Sequence, residues 1–200
     1  DLSFSARRPA PAPSAEVRAL AGSSLARPLD LDLRPGELVG LTGLPGSGFE
    51  AVPYLLAGAD PATAGTLATD GDTVTLRSAS VAKMLRRGVV LVPENRVRDG
   101  LDLEHDMLTN VTLPWLGRHG RPWASGRRWR LAQTRAVIED LGVVPADPRH
   151  AVSRLSGGNQ QKVLLGKWLA GAPRLLLVHE PTQAVDVKAR QDLLRALHRV

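Results

Sequence analysis

The stretch GLTGLPGSGFEA, residues 40–51, limits the folds open to this 200-residue chain more than any other feature. An apolar run at 38–41 leads into it and a helical pattern follows it, so it predicts a strand, a glycine-rich turn and a helix in sequence. Gly43, Gly46 and Gly48 place no Cβ in the way of an approaching anion, and a helix N-terminus behind them adds favourable electrostatics. The stretch therefore predicts a phosphate-binding loop.

Two other interpretations of the loop stay open at this point. One is a dinucleotide-binding fingerprint, in which Gly46, Gly48 and Ala51 are the small residues and Asp70 or Asp72 would hold a ribose hydroxyl. The other is a tight turn between a strand and a helix that binds nothing.

The two positions after the last glycine do not hold the residues that a working phosphate loop needs. Lysine would reach the outer phosphates there, and serine or threonine would bind magnesium. Phe49 and Glu50 occupy these positions, so the glycine frame persists without its working side chains. The candidate nucleotide-binding residues are Gly43, Leu44, Pro45, Gly46, Ser47, Gly48, Phe49 and Glu50.

Apolar runs of strand length alternate with helical patterns along the chain. The predicted strands lie at 17–20, 29–33, 38–41, 73–76, 89–92 and 175–178, and the predicted helices at 78–87, 127–141, 156–170 and after Asp186. This alternation predicts an α/β fold with a largely parallel or mixed sheet. We expect a Pro/Ala-rich linker at 1–15, a core formed by 16–101 and 152–200, and an inserted helical subdomain at 102–151.

Composition narrows the class of protein. The formal charge of +6 favours acidic partners such as nucleotides. The absence of cysteine excludes disulfides and thiolate metal sites, and the histidines show no metal-ligand spacing. No apolar run approaches the length of a membrane span.

The stretch RLSGGNQQKVLLGKWLAGAPRLLLVHEPTQAVDVKAR, residues 154–190, closely resembles the nucleotide-binding domains of ABC transporters. The residues that resemble the ABC signature motif are Leu155, Ser156, Gly157, Gly158, Asn159, Gln160 and Gln161. A serine and two glycines at a helix start make an anion site. The resemblance implies a P-loop NTPase core of the ABC type, in which this motif touches the γ-phosphate bound to the opposite domain.

The resemblance also assigns positions around the strand at 175–178. Glu180 matches the catalytic glutamate, which can accept a proton from attacking water. Glu94 falls at the Q-loop in place of glutamine, and Asp186 falls in the D-loop. His179 occupies the position of the Walker B aspartate, which in the family holds magnesium through water.

Three departures from the family affect the same task. Phe49, Glu50 and His179 replace the lysine, the hydroxyl residue and the aspartate that together hold Mg-ATP. Imidazole is a poor ligand for a hard cation that prefers oxygen. We therefore expect weak or absent binding of ATP and Mg²⁺ at this chain's own site and assign no metal ligands there. Glu180 is then a relic of lost turnover, or it supports slow hydrolysis. We also expect a direct contact between Glu50 and His179.

Within the family, the form of these motifs most resembles the ATPase subunits of monosaccharide importers. The resemblance implies the second, C-terminal nucleotide-binding domain of such a subunit, fused to a first domain whose site this signature completes. The implied partners are transmembrane permease subunits and, indirectly, a sugar-binding protein, at the cytoplasmic face of the plasma membrane. We expect the H-loop histidine and the last strands to follow Val200. The alternatives are a soluble ABC ATPase acting on nucleic acid and a non-hydrolysing regulatory ABC module.

A basic segment at 117–135 holds six arginines and no acidic residue, with Trp123 and Trp129 inside it and Trp115 just before it. Three interpretations stay open for it. It is a solvated helix face with inward tryptophans, a surface that meets lipid headgroups or acidic residues of a membrane subunit, or a nucleic-acid site. No nucleic-acid partner is expected from the rest of the chain.

Overall fold

A computed structural model describes residues 14–118, 126–181 and 187–197. The chain divides into two compact units, Asp1–Met84 and Leu85–Val200. The phosphate-loop candidate belongs to the first unit, and the candidate signature motif and the predicted Walker B strand belong to the second.

The first unit is built on an antiparallel sheet. Its strands are β1 (Ala15–Gly22), β2 (Leu29–Leu33), β3 (Ala62–Thr69) and β4 (Asp72–Thr75), in the order β2-β1-β3-β4. Val17 in β1 lies opposite Leu31 in β2 and Leu67 in β3. Val17 and Leu67 are buried, because side chains on one face of the sheet point into the core.

Two short helices follow the loops of this unit. Helix α1 (Val52–Ala57) buries Leu55 and Leu56. Helix α2 (Val81–Arg86) begins later than the sequence predicts, since Ser78 ends a preceding 3-10 turn and donates its hydroxyl hydrogen to the Thr75 carbonyl at 3.1 Å. The predicted start at residue 78 is therefore wrong, and the chain turns once more before the helix.

The predicted strand at 38–41 is also wrong. Leu38 is 67% exposed and Leu41 is 38% exposed, and residues 37–44 form neither helix nor strand. A strand needs a neighbour for its backbone N–H and C=O groups, and no described strand pairs with this segment. The sheet instead contains β3, whose alanine-rich sequence ATAGTLAT gives little strand signal and which forms through its pairing with β1 and β4.

The second unit combines a parallel strand pair with helices. Strands β5 (Val89–Val92) and β6 (Leu175–Val178) pair in parallel, with Val89 opposite Leu175. The helices are α3 (Met107–Thr112), α4 (Arg127–Leu141), α5 (Gly157–Leu169) and α6 (Val187–Leu197). Short runs of valine and leucine flanked by helices are typical of parallel pairing.

Helix α5 lies at the centre of the core of the second unit. Val163, Leu164 and Leu165 are at most 1% exposed and pack with buried residues of α3 and α4. Gly166 permits the close approach of α4, since a Cβ there would lie 2.2 Å from Cγ1 of Val137. This packing fixes the helix that carries the signature motif.

Several sequence predictions are confirmed in this unit. Helix α4 covers 127–141 and ends at Gly142, whose φ of +59° is one that glycine adopts without strain. Helix α5 begins after Ser156 as predicted, and β5 and β6 have the predicted bounds. Asp186, the predicted cap of the last helix, lies outside the described residues.

The α/β class and the mixed character of the sheets are confirmed. Among the described strands, β5 and β6 pair in parallel and the other four are antiparallel, so the expected predominance of parallel pairing is not seen. Helices α3 and α4 lie within the segment 102–151, where we expected the helical subdomain, and the unit boundary follows Met84. In the described ranges, no helix combines the length and the apolar character that a membrane crossing requires.

Candidate nucleotide and signature sites

The glycine loop of the first unit has the backbone of a tight turn. Gly46 and Gly48 have φ values of +85° and +79°, which other residues rarely adopt. A Cβ at Gly48 would lie 1.7 Å from the Ser24 carbonyl oxygen, so the loop depends on glycine here. The backbone N–H of Ala26 also donates to the Ser47 carbonyl at 3.2 Å.

Two side chains of the loop, those of Ser47 and Phe49, pack against its backbone. A Cβ at Gly43 would lie 2.5 Å from Ser47 Oγ and 2.8 Å from Cδ1 of Phe49, so both side chains lie against the Gly43 backbone. Ser47 Oγ is buried and has no hydrogen-bond partner among the described residues. Glu50 is exposed and brings a negative charge to a loop that contains no cation between 40 and 51. The packing of Ser47 and Phe49 and the charge of Glu50 therefore work against the binding of a phosphate.

The end of β6 in the second unit carries His179 and Glu180. The His179 N–H donates to the Val92 carbonyl at 3.0 Å, which continues the strand pairing by one residue. Glu180 has a φ of +46° and is exposed, so the chain turns at this residue before Pro181. The carboxylate of Glu180 is therefore accessible at the end of the strand.

The structure brings His179 together with Glu94, the residue at the Q-loop position. His179 Nδ1 lies 3.8 Å from Glu94 Oε2, with the two side chains 16% and 41% exposed. Glu50 belongs to the other unit, so its expected contact with His179 stays a prediction. The imidazole of His179 therefore faces a carboxylate at the end of β6.

A magnesium ion does not fit the residues at this strand end. Mg²⁺ demands octahedral oxygen coordination, and His179 offers nitrogen where an oxygen ligand is required. No group of three or more histidine, aspartate or glutamate side chains in the described parts of the chain could hold a metal ion. The chemistry of these donors is therefore unsuited to magnesium.

The signature motif begins α5. Ser156 is the N-cap, and its Oγ accepts hydrogen bonds from the Asn159 backbone N–H at 3.4 Å and from Asn159 Nδ2 at 3.0 Å. Asn159 Oδ1 in turn accepts from the Val144 N–H at 3.0 Å. Ser156 is exposed and Gly157 is half-buried, so the start of the helix is open to a ligand.

The remaining signature residues point inward. Leu155 belongs to the hydrophobic core, and Gly158, Gln160 and Gln161 are buried. Gln160 Oε1 accepts from Arg96 Nε at 3.2 Å, and Gln160 Nε2 donates to the Val152 carbonyl at 3.1 Å. These residues therefore anchor the helix start in the core and are not available to a ligand.

Sequence reasoning assigned no role to three cations that support α5. Lys162 Nζ donates to Asp192 Oδ2 at 2.8 Å and to the Gly142 carbonyl at 3.2 Å. Lys167 Nζ donates to the Gly100 carbonyl at 2.8 Å, and burial lowers the pKa of Lys167. The third cation is Arg96. The signal in the sequence is helical spacing, because positions 160, 164 and 167 share one face of α5. The residues at these three positions all contact the turn at 96–100.

The basic segment is only partly described. Trp115 is 2% exposed and donates its Nε1 hydrogen to the Lys167 carbonyl at 2.8 Å, so it packs inward. Arg130 Nε donates to Thr112 Oγ1 at 2.9 Å. Residues 119–125, including Trp123, lie outside the described ranges. Trp115 and Arg130 therefore serve the packing of the second unit.

Comparisons with known proteins identify a family and several relatives of this chain. A family model described as ABC transporter matches residues 26–183. The chain is 37% identical over 166 residues to the putative ribose/galactose/methyl galactoside import ATP-binding protein 3 of Agrobacterium fabrum (strain C58 / ATCC 33970), covering 83% of this chain and 33% of that protein. It is 37% identical over 172 residues to the galactofuranose transporter ATP-binding protein YtfR of Escherichia coli (strain K12), with coverages of 85% and 34%.

A third relative agrees with these matches. The arabinose import ATP-binding protein AraG of Pseudomonas savastanoi pv. phaseolicola (strain 1448A / Race 6) is 34% identical over 187 residues, with coverages of 93% and 36%. The chain thus spans about a third of the length of the relatives it matches.

The fold is that of the ATP-binding cassette MJ0796, whose dimeric post-hydrolysis structure is bound to ADP and Pi. The TM-score is 0.73 at 22% identity, covering 92% of this chain and 81% of that chain. The family model matches most of this chain, and several relatives are more than 30% identical to it. The chain therefore belongs to the ABC transporter family, as an ATP-binding domain homologous to the ATP-binding proteins of sugar importers.

Proposed function

We propose that this chain is an ATP-binding domain of a monosaccharide importer and that it works mainly through its signature motif. The names of its relatives support a monosaccharide substrate, since they are ATP-binding proteins for the import or transport of ribose, galactose, galactofuranose or arabinose. As an ABC ATPase domain it would act with transmembrane permease subunits at the cytoplasmic face of the membrane. The Pro- and Ala-rich stretch at 6–15 suggests a fused nucleotide-binding domain before it.

One contrast supports the proposal: the candidate signature lies at an open helix start, whereas Phe49, Glu50 and His179 depart from the family's pattern at the candidate nucleotide site. Ser156 is exposed at the start of a 13-residue helix in which Gly158, Gln160 and Gln161 are buried. In contrast, Phe49 lies against the backbone of Gly43, and His179 faces Glu94. The partner domain would supply the phosphate loop and the metal, and this chain would supply the anion-binding helix start.

The chemistry of the helix start suits a nucleotide held by another domain. The first N–H groups of α5 have no partner within the helix, and the helix dipole favours negative charge near them. The half-buried Gly157 adds no Cβ between these N–H groups and a phosphate oxygen. This electrostatic stabilisation would act on the outer phosphate of the partner's ATP.

The chain's own site would bind nucleotide weakly and without efficient turnover. Electrostatic stabilisation by a loop lysine and a metal commonly lowers the barrier to phosphoryl transfer more than any other effect. Phe49 replaces the lysine, and Glu50 and His179 replace the residues that would hold the metal. Glu180 remains accessible at the end of β6. Without a metal-held phosphate in front of it, this carboxylate would have no substrate to act on, as expected of a relic.

Calorimetric titration of the full-length gene product with ATP tests the proposal. We expect one class of tight, magnesium-dependent sites in the native protein, contributed by the partner domain. The triple variant Phe49→Lys, Glu50→Thr, His179→Asp should gain a second such site, because it restores the cation, the hydroxyl and the carboxylate. The single variant Phe49→Lys is the control, since it restores neither the hydroxyl nor the carboxylate, so its added site should bind ATP without dependence on magnesium. Two tight magnesium-dependent sites in the native protein would contradict the altered-site proposal.

A further inference from the structure

The side chain of Asn159 controls the direction of the Ser156 hydroxyl. A serine hydroxyl has one hydrogen to donate and two lone pairs to accept with. Two N–H groups of Asn159, the backbone N–H at 3.4 Å and Nδ2 at 3.0 Å, donate to Ser156 Oγ. Both lone pairs are thus engaged by the helix itself, and the hydroxyl hydrogen is left to point elsewhere.

The orientation of the Asn159 amide is fixed from the other side. Its Oδ1 accepts from the Val144 N–H at 3.0 Å. Since that contact requires an oxygen, the amide nitrogen must face Ser156. The loop after α4 therefore determines, through Asn159, that Ser156 receives hydrogen bonds from within the chain.

We propose that Asn159 is a positioning residue that makes Ser156 a pure hydrogen-bond donor toward a phosphate oxygen. A phosphate oxygen has only lone pairs to offer, so it binds a hydroxyl that presents its hydrogen and is repelled by one that presents a lone pair. Ser156 is exposed, and the hydrogen is left free on its open side. This inference rests on the proposed function, because the phosphate belongs to nucleotide held by the partner domain.

ATP hydrolysis by the full-length gene product, assembled with its permease subunits, tests the inference through a double-mutant cycle. The variants are Ser156→Ala, Asn159→Leu and the double variant; leucine is close to asparagine in shape and adds no charge. We expect kcat to fall about tenfold or more in each single variant, as for loss of a hydrogen bond to a charged group, with KM for ATP nearly unchanged. The double variant should be no slower than Ser156→Ala, because Asn159 acts through Ser156.

A second pair of variants separates hydroxyl direction from general damage. Asn159→Asp keeps the shape and the contact to Val144 but places an oxygen next to Ser156, so the hydroxyl would turn inward to donate to it. We expect this variant to be slower than Asn159→Leu and to recover part of its kcat as pH falls and the carboxyl is protonated. Ser153→Ala, an exposed serine on the preceding turn, is the control and should keep the native kcat.

The outcomes distinguish the inference from the proposed function. Losses that multiply in the double variant would show that Asn159 acts independently of Ser156 and would overturn the inference alone. An Asn159→Asp variant as fast as the native protein would do the same. A native complex that hydrolyses no ATP would overturn the proposed function, and the inference with it.

Discussion

The ion pair between Lys162 and Asp192 offers a quantitative test of how the signature helix is held. Lys162 Nζ lies 2.8 Å from Asp192 Oδ2 on α6, and the two side chains are 9% and 27% exposed. The same ammonium donates to the Gly142 carbonyl, just past the end of α4. Lys162→Met keeps most of the length and the apolar contacts of the side chain but removes both interactions.

The expected loss follows from the exposure of the two partners. Removal of one member of a fully buried ion pair costs about 3–5 kcal/mol, because the other charge is left without compensation. Asp192 keeps some contact with water and a second cation, Arg195 Nη1, at 3.5 Å from Oδ1. We therefore expect Lys162→Met to lower the free energy of unfolding by about 1.5–2.5 kcal/mol, below the fully buried case.

Urea denaturation followed by tryptophan fluorescence measures this loss, since the four tryptophans of the chain lie between 115 and 168, within the second unit. Arg195→Met is the matched control: it removes a cation from the same carboxylate, but Arg195 is 69% exposed. We expect this control to cost no more than about 0.5 kcal/mol, as exposed ion pairs usually do. Equal losses in the two variants would refute the argument that burial decides the strength of the pair.

Two further predictions concern the core and pH. Gly171→Ala should destabilise the second unit by about 2–4 kcal/mol in the same assay, since its Cβ would lie 2.0 Å from Trp115, and Trp115→Leu in the same protein should recover part of the loss. The hydrogen bond between Asp102 and His105 raises the pKa of His105 and lowers that of Asp102. Its stabilisation is therefore fully present between about pH 4 and 6.5, and it is lost as pH rises through the raised pKa of His105 or falls through the lowered pKa of Asp102. The difference in melting temperature between the native protein and His105→Gln should be largest in that window; a constant difference across pH would contradict this reasoning.

The helices and strands of the second unit could be predicted because their signals are local. Gly142 ends α4 and Ser156 caps α5, and both depend only on the chemistry of residues next to the helix end. The strands β5 and β6 are short runs of valine and leucine with clear ends. Here local preference and tertiary packing agree, so the sequence pattern was sufficient.

The first unit shows why pattern alone fails elsewhere. The run at 38–41 is apolar but has no neighbouring described strand, whereas β3 is weakly apolar and has two. Strand formation depends on partners distant in the sequence, which periodicity does not reveal. The same limit applies to Asn159, because its bond to Val144 joins residues that no motif connects.

The support of the signature motif has a consequence for the history of such a chain. Every described contact that holds Ser156, Asn159, Gln160 and Lys162 comes from within residues 85–200. Substitutions in the glycine loop at 40–51 therefore leave these contacts intact. Under the proposed function, selection for the signature would act within residues 85–200 and would not constrain positions such as Phe49 and Glu50.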